Sequence, residues 1–320
     1  MLITGGAGFI GSHLADRLLE DHCEITILDN FDDFYDGKEA NVAQNLGLAE
    51  YRLVRGDVLD YEMVSSLSKK VDFIFHMAAR PGIRQSIRDP LRAHQVNVIG
   101  TLNVLLAAKE NKVQKIIYAS SSSVYGCTNE LSMREDHPTK PTSPYAASKL
   151  AGENYCVAFS KTYNMPITCL RYFSVYGPRG RPDQPVYRFA ARVLGGANPM
   201  IFGDGNQTRD FTYISDVVEA TILAATSDKS NGEVMNIGFG NEISIKEAAQ
   251  KIISRLDKPG IEIEYYAGYD GDFPRTLADN TKARHLLGWR PKVSFDEGLD
   301  HFLEWCTQTI APTIRTRANS

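Results

Sequence analysis

The segment Thr4-Gly5-Gly6-Ala7-Gly8-Phe9-Ile10-Gly11 constrains this chain more than any other. Glycines at 5, 8 and 11 stand between a short apolar run, residues 1–4, and an amphipathic stretch in which Leu14 and Leu18 recur at helical spacing. The missing side chains permit a tight turn from strand to helix, and they let backbone N–H groups and the positive helix end approach a pyrophosphate. A glycine trio alone is weak. Here it has a strand before it, a helix after it, and Asp29 closing the second apolar run, where a carboxylate accepts from both hydroxyls of an adenosine ribose. Gly5, Gly8, Phe9, Ile10, Gly11, Asp29 and the adjoining Asn30 are therefore candidate dinucleotide contacts. The charge of Asp29, with no Arg following at once, opposes the extra 2′-phosphate of NADP and favours NAD.

The pattern continues. Apolar runs at 24–28, 51–55, 72–76, 115–120 and 166–171 alternate with amphipathic stretches, among them 97–112, which reads as βαβ units on a parallel sheet. Asn164 is placed to end a helix. The expected fold is α/β, a Rossmann-type doubly wound parallel sheet, with residues 1–171 as the NAD-binding domain. After Arg171, Pro and Gly crowd residues 177–185 and the elements lose their regular order. Residues 172–320 are read mainly as a smaller α/β substrate-binding lobe, with some segments returning to the first domain. Ile245, Ala248, Ala249, Ile252, Ile253 and Leu256 form the apolar stripe of one of its helices. The polar end, 311–320, is expected to fray. Asp57, in Arg55-Gly56-Asp57-Val58, either meets the adenine amino group or caps its own loop.

Composition excludes several classes of function. With 43% hydrophobic and 23% charged residues the 320-residue chain is globular. A net charge of −4 offers no basic surface to nucleic acid, so an anionic substrate must find local cations. Cys23, Cys127, Cys156, Cys169 and Cys306 are odd in number and lack CxxC spacing, which points to reduced thiols in a cytoplasm and to no metal site. No apolar run approaches the ~20 residues that span a bilayer, so no membrane partner is expected.

Ser143-Pro144-Tyr145-Ala146-Ala147-Ser148-Lys149 opens a helix and puts Tyr145 and Lys149 on one face. A free phenol titrates near ~10. An ammonium beside it favours the phenolate, so Tyr145 is the candidate acceptor of a substrate hydroxyl's proton, and Lys149 can also bond the nicotinamide ribose. Ala119-Ser120-Ser121-Ser122-Ser123-Val124-Tyr125-Gly126 follows on an apolar strand, at the sheet edge where ligands bind. From there Ser121 can bond the reacting hydroxyl and relay its proton to Tyr145.

The motifs TGGAGFIG, SSSSVYG, SPYAASK and LRYFSVYGPRGRP resemble the extended short-chain dehydrogenase/reductase family, specifically its nucleotide-sugar epimerases and dehydratases, over nearly the whole chain. The resemblance implies bound NAD, hydride removal from a sugar carbon and a keto-sugar intermediate. It adds Val58, Met77, Ala78, Ala79 and Tyr172 to the cofactor contacts and a homodimer formed through two helices of each subunit. His76, beside them, is read as a packed strand residue. Similar dehydratases carry an Asp-Glu pair where this chain has Ser122 and Ser123, and similar decarboxylases a Glu in place of Ser123. What remains is 4-epimerisation, with Ser122 and Ser123 facing the sugar and the cofactor ending as it began.

Residues 29–36, 80–84 and 172–183 are similar to the UDP-glucuronate 4-epimerases, implying a UDP-sugar substrate with a carboxylate. An Arg fork holds such a group bidentately. Arg181 with Ser174 is the candidate clamp, Arg84 and Arg179 further ones. Segments 203–211 and 271–275 resemble the family's UDP-binding stretches, which assigns Arg209 and Arg275 to phosphate or ribose, with a surface ion pair as the alternative for each. Gln184-Pro185-Val186 departs from the subgroup's Met, Ala and aromatic residue. A 4-epimerase for UDP-glucose or UDP-N-acetylglucosamine would share every catalytic residue, whereas an NAD-sensing regulator on this fold would tend to lose the Tyr or the Lys.

Overall fold

The apolar runs of the first half are strands β1 (Leu2–Thr4), β2 (Ile25–Asp29), β3 (Tyr51–Arg55), β4 (Phe73–His76), β5 (Lys115–Ser121) and β6 (Ile167–Tyr172). They are seen in a computed structural model that describes residues 1–128, 132–268 and 274–318, the side chains of 313–318 excepted. A seventh strand, β7 (Val234–Ile237), arrives late in the chain and pairs with β6, Val234 opposite Cys169. The order is β7-β6-β5-β4-β1-β2-β3, parallel throughout. After β3 the chain crosses to the other side of β1. The neighbours β1 and β4 therefore send their connections in opposite directions, which opens a crevice at their carboxyl ends. This is a Rossmann-type α/β fold.

Continuous apolar runs are what a sheet covered on both faces requires. Successive residues serve opposite layers: Ile3, Ile27, Phe75, Ile117 and Leu170 join one core, and Leu2, Leu28, Ile74, Ile116 and Cys169 the other. Helices Phe9–Glu20 and Ile214–Thr226 cover the first face; Thr101–Glu110 and Pro144–Tyr163 cover the second. Two segments beyond residue 172, β7 and Ile214–Thr226, thus lie on the sheet. Helices Pro185–Leu194, Ile245–Leu256 and Phe295–Ala318 pack on one another beside it, and Met200–Phe202 pairs in parallel with Glu264–Tyr266. In the expected stripe Ile245, Ala248, Ala249 and Ile252 are buried.

Two expectations change. The stretch 97–112 begins as a π-helical turn, Gln95–Gly100, before Thr101–Glu110 continues as an α-helix. The wide turn presents Asn97, which accepts from Arg80 N at 2.7 Å and donates to Arg80 O at 3.1 Å and to Ser148 Oγ at 2.8 Å, tying the crevice to the Tyr145 helix. Residues 311–318, expected to fray, continue the helix Phe295–Ala318. Leu299, Phe302, Leu303 and Cys306 anchor it upstream, and a nucleated helix propagates at little cost.

Helix Pro144–Tyr163 follows its sequence signals. Ser143 Oγ accepts from Ala146 N at 3.2 Å, Pro144 takes the first turn, and Asn164 ends the helix at φ 52°. Among the described residues no helix is long and apolar enough to cross a membrane, and no group of three or more His, Cys, Asp or Glu side chains is placed to hold a metal. The five cysteines are unpaired.

Candidate active site

A cavity of about 700 Å³ runs along the carboxyl ends of β1, β4 and β5. Its wall contains every candidate cofactor and catalytic residue, from the glycine turn to Tyr172, together with Ser122, Ser123, Ser174, Arg84, Arg181 and Arg209. Arg275 is not on that wall. Its guanidinium is held by Glu242, Nε to Oε1 at 2.9 Å, the surface ion pair that was its alternative reading. The neighbouring residues 271–273 lie outside the described residues. Arg179 turns away to Asp16 at 2.7 Å.

The glycine turn is set by backbone crowding. Gly5 has φ +69°, and a Cβ there would lie 2.6 Å from Ala78 N; one on Gly11 would lie 2.3 Å from Gly5 O. No rotamer relieves a clash with backbone. Asp29, nearly buried at the end of β2, braces the turn: Oδ2 accepts from Ala7 N at 3.0 Å and Oδ1 from Phe31 N at 2.8 Å. Burial raises its pKa, against these bonds and the charge of Lys38. Each oxygen keeps a further lone pair for a ribose hydroxyl. Asp57 caps its loop, Oδ1 accepting from Leu59 N at 3.0 Å, while Oδ2 takes Asn30 Nδ2 at 2.9 Å and Arg92 Nη2 at 3.3 Å.

Lys149 tests whether a dinucleotide fits. Its side chain is 2% exposed and faces the cavity, with Nζ 4.4 Å from the centre of the Tyr118 ring. Among the described residues the ammonium has no hydrogen-bond acceptor, and burial lowers its pKa to about 8. A buried charge without acceptors is costly. The vicinal hydroxyls of a second ribose would meet that need, and together with the glycine cradle and Asp29 they make the residues fit the group.

Tyr145 stands half-buried on the same wall, with the Ser121 hydroxyl placed to lower the pKa of its phenol. Ser121 Oγ accepts from Ser123 N at 3.2 Å and from Ser123 Oγ at 2.9 Å, which leaves its own proton to point at the phenol. The expectation that Lys149 acidifies Tyr145 is corrected here. Burial pushes the phenol up, and the charge that opposes it is that of Arg181, followed by the Ser121 bond. The helical spacing does put Lys149 on the right face, but its ammonium settles over Tyr118.

Behind the serines lies a buried ion pair. Glu153 accepts from Ser120 Oγ at 2.5 Å and from Arg171 at 3.1 and 2.6 Å, and Arg171 Nη1 donates to Tyr125 Oη at 2.8 Å. It ties β5 and β6 to the Tyr145 helix. His76 is a packed residue, bonded to Thr4 at 2.7 Å and Thr101 at 2.9 Å, and burial holds it neutral with a pKa of about 3.

Tyr35, Arg188 and Asp183 are among the cavity residues that the sequence did not single out. Tyr35 Oη accepts from Phe9 N at 3.1 Å, at the helix end of the glycine turn; no pattern in residues 30–37 signals this. Arg188, one turn into its helix, lies over the Phe202 ring at 5.5 Å. Asp183 occupies the fork of Arg181, Nε to Oδ1 at 2.9 Å and Nη2 to Oδ2 at 3.0 Å, so the expected clamp already holds a carboxylate. The Arg-Pro-Asp spacing is the one signal that a sequence offers for it.

Comparisons with known proteins identify the family. The pattern of the family described as GDP-mannose 4,6 dehydratase matches residues 2–302. A putative UDP-glucose 4-epimerase of Methanocaldococcus jannaschii is 36% identical over 310 residues, covering 95% of this chain and 97% of that protein. The UDP-glucuronate 4-epimerase of Thermodesulfobacterium geofontis is 34% identical over 314 residues, covering 97% and 96%. The crystal structure of the UDP-glucuronic acid 4-epimerase from Bacillus cereus, in complex with UDP-glucuronic acid and NAD, superposes with a TM-score of 0.91 at 36% identity, covering 96% and 98%.

Proposed function

The chain belongs to the GDP-mannose 4,6 dehydratase family of extended short-chain dehydrogenase/reductases, and from that premise we propose that it is an NAD-dependent UDP-sugar 4-epimerase that converts UDP-glucuronate to UDP-galacturonate. The observation that carries this reading is the convergence of Tyr145, Ser121, Lys149 and Arg181 on one wall of the cavity, shared by Ser122 and Ser123, the positions at which the resemblance places acids in dehydratases and decarboxylases. Bound NAD supplies a hydride acceptor that is regenerated in place. The chain supplies the proton path and the grip. Ser121, donating to the phenol, lies between Tyr145 and the sugar's 4-hydroxyl; Tyr145 takes that proton and later returns it. Lys149 binds ribose. Arg181 and Ser174 hold the carboxylate, which keeps a 4-keto uronic acid, a β-keto acid, from losing carbon dioxide.

Turnover on UDP-glucuronate, UDP-glucose and UDP-N-acetylglucosamine, followed by NMR, tests the proposal. Arg181→Ala is expected to lower kcat/KM on UDP-glucuronate by about 100-fold, the loss of a charged bidentate pair, and to change UDP-glucose turnover far less. Indifference of the acid to this change would remove the clamp. The second reading, a 4-epimerase of UDP-glucose or UDP-N-acetylglucosamine, is favoured by one observation, the Asp183 carboxylate already in the Arg181 fork. The same assay separates the two.

The enzyme is further proposed to be a cytoplasmic homodimer. Helices Ile83–Arg88, Pro90–His94 and Pro144–Tyr163 pack together and expose Ile87, Leu91 and Tyr155, with Leu91 64% accessible. Large apolar side chains left exposed on helices that pack together support an interface there. Leu91→Asp is expected to halve the mass measured by light scattering; a wild-type chain that elutes as a monomer removes the proposal.

A further inference from the structure

The Arg181–Asp183 pair poses a chemical problem for the proposed substrate. Both side chains line the cavity, about a quarter exposed, on the short segment between Gly180 and the helix Pro185–Leu194. The segment is braced from within: Gln184 Oε1 accepts from Arg181 N at 3.2 Å and Gln184 Nε2 donates to Val175 O at 2.9 Å. Asp183 uses Nε and one Nη of the guanidinium in fork-to-fork geometry, the arrangement a sugar carboxylate would itself seek. Arg181 and the proton acceptor Tyr145 share the cavity wall, so an incoming sugar meets the pair as a unit.

A uronate brings a second negative charge to a guanidinium that already has one. Like charges brought together in a site repel and disfavour binding. A neutral hexose brings a 6-hydroxyl instead, which donates, and the Asp183 carboxylate accepts. We propose that Asp183 is a specificity-determining residue. It is the carboxylate that Arg181 holds before substrate arrives, so a sugar acid must share the guanidinium with it while a neutral sugar gains an acceptor. This inference rests on the UDP-sugar reading of the site but not on which sugar is preferred. It assigns the balance between acid and neutral substrates to Asp183 and not to the serines, which both kinds of sugar meet alike.

The experiment compares kcat/KM on UDP-glucuronate and on UDP-glucose for wild-type holoenzyme, Asp183→Asn and Asp183→Ser. Calorimetric Kd values for the two nucleotide sugars accompany the rates. Removing the charge is expected to raise the ratio of UDP-glucuronate to UDP-glucose by about tenfold or more in both variants. A ratio unchanged within about twofold, or one moved toward UDP-glucose, overturns the proposal, because Asp183 would then only hold Arg181 in place for the acid. If the wild type turns over neither sugar, the functional reading fails and the ratio of Kd values still decides the role of Asp183. Retained NAD and an unchanged melting temperature identify variants that have folded; should the Asn variant fail, the Ser variant carries the comparison.

Discussion

Tyr145→Phe holoenzyme is expected to lose epimerisation by about 10²–10⁴-fold in kcat while still binding NAD, the range that removal of a positioned proton acceptor produces. The substitution deletes one oxygen and keeps the ring that fills the cavity wall. Ser121 then has no phenol to donate to, and the 4-hydroxyl has no route for its proton. Because burial raises the pKa of Tyr145, the base form is favoured toward alkaline pH. Wild-type kcat/KM should therefore climb with pH through the phenol's ionisation, and the residual rate of the variant should not. A variant that turns over within a few-fold of wild type, or that keeps the climb, ends the assignment of proton transfer to Tyr145.

Gly5→Ala is expected to yield protein that is less stable and emptied of dinucleotide. An L-residue in the left-handed region costs roughly 1–2 kcal/mol before any contact is counted. At Gly5 the new Cβ would also lie 2.6 Å from Ala78 N and 2.7 Å from Ala78 Cα, so β1 and the segment after β4 must part at the crevice that receives the cofactor. Gly196→Ala separates the two effects. Gly196 has φ +74° with nothing within 4 Å of a built Cβ, so it takes the conformational cost alone. Its melting temperature should fall while its NAD content, measured after perchloric acid release, stays at the wild-type level. Equal loss of NAD in both variants would show that general destabilisation, and not the glycine cradle, empties the site.

Local chemistry was legible in the sequence, and it was legible where the cause is local. The first six strands fall within one residue of the apolar runs, because a parallel sheet buried on both faces admits only such runs. Asn164 ends its helix because it tolerates φ 52°, and the glycine turn is read from spacing because no other residue fits beside Ala78 and Gly5. β7 was not legible: Val234–Ile237 is short and gains its place only by pairing with β6, some 65 residues earlier in the chain.

What the amino-acid order determined by itself, then, is the sheet, the turn that receives a dinucleotide and the helix that carries Tyr145 and Lys149, since each depends on periodicity, backbone conformation or a spacing of four. Tertiary structure decided where charge goes. It sent the Lys149 ammonium over Tyr118, left Arg181 as the cation that opposes the rise of the phenol, put Asp183 into the Arg181 fork and drew Arg275 away to Glu242. Long charged side chains have many rotamers, and which partner they take depends on groups that only the folded chain brings within a few ångströms.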